Sequence, residues 1–187
     1  MDTSTLAGLQ IAFERCCQVG RDTNKEHFCL LGLDGQVLAE RTGEEDHVYL
    51  DGFFNAQGKY GVHNHNKPYP ISLPDILCAT QTKTTIYAVT LNGDKYWSSG
   101  LNLDLSSWED SIRALNLQST ASSLQNQGIG YLKGKLLGID EDTATQVVVH
   151  HFNLGLQRSK FALDYHFELT PETAALYSKV EFILNPQ

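Results

Sequence analysis

The run Tyr60-Gly-Val-His63-Asn-His65, with the Pro-rich loop Asn66–Ile71 and then Ser72-Leu-Pro-Asp75, constrains this chain more than any other stretch. Lys59–His65 reads as a strand. Ser72 opens a helix with Pro74 in its first turn, where a missing N–H costs nothing. Ile76, Leu77, Ala79 and Thr80 carry that helix to about Thr82. Thr85–Leu91 then alternates and is rich in β-formers. Asn92-Gly93 is a hairpin signal, and Lys95–Ser98 pairs back. Within this α/β unit, the two-residue period of a strand puts His63 and His65 on one face. Asp75 follows His65 by ten residues, and a loop of that length can fold back to bring the carboxylate to the two rings.

The flanking sequence completes a mixed unit. Leu6, Leu9, Ala12, Phe13, Cys16 and Cys17 recur at helical spacing over Thr3–Val19, with Gly20 as a stop signal. His27–Leu33 leads into the turn Asp34-Gly35, and Gln36–Glu40 returns. His47–Leu50 reads as a further short strand ending at Asp51-Gly52. Past Gly100 the pattern turns helical. Ser106–Gln127 is polar, with Trp108, Ile112, Leu115 and Leu124 as anchors. Gly128, Gly130, Gly134 and Gly138 punctuate the next segment. Thr143–Leu154 carries Val147, His150, His151 and Leu154 on one face, and Thr170-Pro171-Glu172 opens a last helix to about Phe182. The expected organisation is therefore residues 1–103 as a mixed α/β domain and 104–187 as a mainly helical appendage, within a length of 187 residues that suits one domain with an addition.

Charge narrows the function. Lys plus Arg number 14 against 22 Asp plus Glu, a net charge of −8, which disfavours nucleic acid and acidic membranes as partners. No export signal is readable and no apolar run is long enough to span a bilayer. A cytoplasmic protein with reduced cysteines is expected, and Cys16 and Cys17 read as small core residues.

Two imidazoles, a carboxylate and a water form a reasonable shell for catalytic zinc, with a further carboxylate needed as general base. In this pattern and order the chain resembles the JAMM (JAB1/MPN/Mov34) metalloproteases, nearest the JAB-like proteins of bacteria and phages. The resemblance covers about residues 3–100. It implies a JAMM/cytidine-deaminase-like mixed β-sheet flanked by helices, with His63, His65 and Asp75 as ligands of Zn2+. It further implies Glu26 as general acid/base, Ser72 as the hydroxyl that polarises the substrate carbonyl, and hydrolysis of a peptide or isopeptide bond in a protein or peptide substrate. Glu40, Glu44 and Glu45 rival Glu26 as the base.

Two departures from the family pattern stand out. Asn66 replaces the usual Pro after the second His, and the gap from His65 to Ser72 is one residue short. They keep open a catalytically inactive binding or scaffold module, and a phage- or toxin-associated factor is a further alternative. Ser72-Leu-Pro-Asp75 is also a capping box in its own right. The contiguous His-Asn-His is not the dispersed motif of HNH nucleases. His150 and His151 diverge by about 100° on a helix and cannot chelate one ion together. Asp140-Glu141-Asp142 lacks the alternation of a calcium loop and suits a helix start, with Thr143 and Gln146 as its capping box. Tyr87, Tyr96 and Trp97 suit hairpin packing.

Overall fold

A computed structural model describes residues 1–50, 59–136 and 138–184. In chain order the elements are α1 (Thr3–Thr23), β1 (His27–Leu31), β2 (Val37–Thr42), β3 (Tyr60–His65), α2 (Leu73–Thr82), β4 (Thr85–Thr90), β5 (Lys95–Gly100), α3 (Trp108–Lys135), α4 (Glu141–Arg158), β6 (Asp164–Glu168) and α5 (Pro171–Leu184). The six strands form one sheet in the order β2-β1-β3-β4-β5-β6. The pair β3–β4, joined through α2, is parallel, and every other pair is antiparallel. This is the expected mixed sheet flanked by helices, with a largely helical region after it.

The sheet is covered on both faces, so β1 and β4 read as nearly unbroken apolar runs. One face, carrying Cys29, Leu31, Val62, Tyr87 and Val89, packs under Leu9, Ala12, Phe13, Cys16 and Cys17 of α1. The opposite face, carrying Phe28, Leu30, Ile86, Ala88 and Tyr96, packs under α2 and the inner residues Ala114, Leu117 and Ala121 of α3. A smaller cluster of Leu132, Val147, Tyr177 and Val180 ties α3, α4 and α5 together.

Several expectations change. α1 does not stop at Gly20. It runs to Thr23 and ends at Asn24 in the left-handed conformation, φ 55°. Gly20 is small for another reason: a Cβ there would stand 2.5 Å from the Asn64 side-chain nitrogen. Leu6 lies on the solvent side of α1. His47–Leu50 forms no strand, although Glu44 N–H donates to His47 O; the turn expected at Asp51-Gly52 lies outside the described residues. The apolar anchors read for α3 also fail. Trp108 is 82% exposed, and Ile112, Leu115 and Leu124 are exposed too. The small residues and Leu117 make the contact instead. The helix continues through Gly128, Gly130 and Gly134, because a long helix with capped ends tolerates single glycines at about 1 kcal/mol each. α4 is capped by Asp140, whose carboxylate accepts from Thr143 N–H at 2.8 Å, rather than by Thr143 and Gln146.

No strand is expected after residue 103, yet β6 extends the sheet by pairing with β5. Its trace in the sequence is the alternation Leu163, Tyr165, Phe167. No helix among the described residues is long and apolar enough to cross a membrane.

Candidate metal centre

The carboxyl end of β3 and the amino end of α2 meet on the sheet face opposite α1. There, His63 and His65 bring Nε2 to Nε2 within 2.9 Å. Asp75 places Oδ1 3.5 Å from His63 Nε2 and Oδ2 3.7 Å from His65 Nε2. Tetrahedral zinc with bonds of about 2.0–2.1 Å sets its ligand atoms about 3.3 Å apart. The three side chains therefore need shifts of only a few tenths of an ångström to share one cation.

The tautomer suits that task. His65 Nδ1 lies 2.8 Å from the Tyr69 carbonyl oxygen. A carbonyl only accepts, so Nδ1 carries a proton, and Nε2 is the nitrogen whose lone pair is exposed to the cluster when the ring is neutral, the usual arrangement of a ligating histidine. Asp75 is held by the helix it caps. Ser72 N–H donates to Asp75 Oδ2 at 2.9 Å and the Ser72 hydroxyl donates to the same oxygen, completing a capping box. The capping box and the approach of Asp75 to the two rings thus coexist, with Oδ1 left facing His63.

The electrostatics favour positive charge on His65. Burial opposes a proton on His65, but the hydrogen bond and charge of Asp75, with the charge of Glu26, outweigh it and raise the pKa to about 9. Burial would raise the Asp75 carboxyl, but the neighbouring His63 and His65 hold it well below the ordinary range. A field that retains a proton on a buried imidazole also attracts a divalent cation.

Glu26 stands just before β1. Phe28 is opposite His63 in the antiparallel register, so continuing that register sets Glu26 opposite His65. Its carboxyl is raised by burial, against the opposing pull of His63 and His65. Glu26, His63, His65, Ser72 and Asp75 line one cavity of about 600 Å³, to whose lining α3 adds Gln118, Ser122 and Gln125. Among the rival carboxylates, Glu40 lies on the α1 side of the sheet, ion-paired to Arg15 at 2.6 Å. Glu44 pairs with Lys25 at 3.4 Å, and Glu45 sits on the cavity rim.

Both departures from the resemblance are absorbed by the loop. Asn66 accepts from Asn64 Nδ2 at 2.9 Å and donates to the Glu45 carbonyl at 2.8 Å. The shortened gap still delivers Asp75 to both rings. Asn64, buried on the α1 face of β3, accepts from His27 N–H at 2.7 Å and donates to the Lys25 carbonyl at 3.2 Å, clamping the start of β1 to β3.

Other participants escape sequence reasoning because they come from distant segments. Tyr69 and Lys67 both bond Asp142 at the start of α4, at 2.6 and 2.8 Å. Asn153 of α4 donates to the Ile71 carbonyl at 2.9 Å. A second constellation, His27, Cys29 and Glu40, also brings ligand atoms within 4.8 Å of one another. Its readable sign is the i, i+2 spacing of His27 and Cys29 on a strand.

The His63–His65–Asp75 cluster has the geometry of the JAMM zinc-binding motif. No family model, curated protein or solved structure matches the chain, so the likeness rests on these residues and this topology.

Proposed function

We propose that this chain is a zinc-dependent hydrolase of peptide or isopeptide bonds that works as JAMM metallopeptidases do. The observation behind this reading is the convergence of Glu26, His63, His65, Ser72 and Asp75 on one cavity. His63, His65 and Asp75 hold the ion. Bound zinc supplies activation of a water at neutral pH and polarisation of a carbonyl. Glu26 takes the proton of the attacking water and hands it to the leaving amine, a task helped by a carboxyl raised towards working pH. The Ser72 hydroxyl turns its single proton from Asp75 to the carbonyl oxygen as negative charge builds there. The substrate class is a protein or peptide, and four free cysteines suit a reducing, cytoplasmic setting.

Metal content tests the reading. His63→Ala and Asp75→Ala should each remove one equivalent of zinc while circular dichroism stays native. Glu26→Gln should keep that zinc and lower turnover of a cleaved peptide by about 10²–10⁴. A chain purified from zinc-replete medium that holds no ion at these ligands and takes none up overturns the proposal.

A further inference from the structure

On the other face of the sheet, under α1, lies a set of donors that the hydrolase chemistry does not use. His27 and Cys29 are two residues apart on β1, and Glu40 of β2 is the register partner of Cys29. Period two therefore sends all three side chains to the same side. His27 is 5% exposed, and its Nε2 is buried with no hydrogen-bond partner. A buried polar atom without a hydrogen bond costs about 1–3 kcal/mol, and Glu40 Oε2 at 3.6 Å is too far to supply one, so the atom points to something that completes it.

We infer that His27 Nε2, Cys29 Sγ and Glu40 Oε2 form a second divalent-cation site, of the zinc type, independent of the first. The three ligand atoms lie within 4.8 Å of one another, and the His27 Nε2 to Glu40 Oε2 distance is 3.6 Å. One nitrogen, one sulfur and one carboxylate oxygen suit zinc, with its fourth position open to water. The supporting contacts also fit. Thr42 Oγ1 lies 2.9 Å from His27 Nδ1; with the ring proton given to that hydroxyl, Nε2 presents a lone pair. Arg15 holds Glu40 Oε1 at 2.6 Å and leaves Oε2 towards His27. Cys16 of α1 places its sulfur 3.8 Å from Cys29 Sγ as a hydrogen-bond donor. Outer partners of this kind orient ligands and tune their affinity. Glu40 is exposed and provides the route in from solvent. Sulfur binds the ion as thiolate, and any proton still on Cys29 leaves to solvent as the sulfur–metal bond forms. The bound ion would staple the edge strand β2 to β1 beneath α1.

Cobalt(II) titration of the full-length reduced protein tests this, because the first centre has no sulfur ligand and a thiolate-to-cobalt charge-transfer band reports sulfur alone. Cys78 lines the first cavity, so the titration is repeated in Cys78→Ser. The band should saturate at one sulfur-bound cobalt per chain in both proteins, vanish in Cys29→Ser, and need about tenfold or more cobalt for half-saturation in Glu40→Gln. Glu40 is a surface carboxylate, so that variant carries the test if Cys29→Ser does not fold. Absence of the band, its loss in Cys78→Ser, its survival in Cys29→Ser, or unchanged half-saturation in Glu40→Gln would each overturn the site.

Discussion

The Ser72 hydroxyl faces two demands that ordinary mutagenesis would confound. It is the N-cap of α2 and is bonded to Asp75, and it lines the cavity where a carbonyl would be attacked. Ser72→Ala should cost about 1 kcal/mol of stability through the lost cap. It should also lower kcat by about 10²–10³ if the hydroxyl stabilises developing charge. Ser72→Asn separates the two, since Asn caps helices as well as Ser. It should restore the denaturation midpoint and leave kcat low; recovery of both would reduce Ser72 to a cap. At this scale the sequence was most informative. His63, His65 and Asp75 are joined by a strand period and one short loop, and both are local. Asn64 was opaque, because its duty is a backbone clamp to a segment 37 residues away.

Between elements, the approach of α1 to the β1–β2 turn is set by bare backbone. A Cβ on Gly8 would meet the Gly35 carbonyl oxygen at 2.1 Å, and Gly35 itself has φ +79°. Gly8→Ala therefore sets two effects against each other. The helix gains about 1 kcal/mol of propensity, while overpacking against unyielding backbone costs about 1–3 kcal/mol. Net destabilisation is expected, read as a lower urea midpoint; a stabilised variant would mean that the helix can slide. Helices and hairpins with strong local signals were readable, as at Asn92-Gly93. β6 and the buried side of α3 were not. The first pairs across the sheet with a strand some seventy residues earlier, and the second uses alanines where the larger apolar residues face water.

Over the whole molecule, the C-terminal elements enclose a histidine that titrates against folding. His150 stacks on Tyr177 with ring centroids 4.1 Å apart, and its Nδ1 lies 2.9 Å from the Tyr165 hydroxyl. Burial, with a smaller push from His151, lowers its pKa from 6.5 to about 4. Above pH 6.5 the ring is neutral whether folded or unfolded. As pH falls from 6.5 to about 4, only the unfolded chain takes the proton, and stability is lost across that window. The loss approaches about 3 kcal/mol. Urea unfolding at several pH values should show this slope in the parent and a shallower one in His150→Gln. Equal slopes would mean that the ring is solvated in the folded state.

The Asp142–Tyr69–His65 contacts join a helix terminus to an imidazole through one phenol and one peptide oxygen. Whatever cation this cluster accepts would be held by a ring whose orientation is set from outside the donor set. The far half of the chain thus takes part in setting the tilt of an imidazole that belongs to the near half.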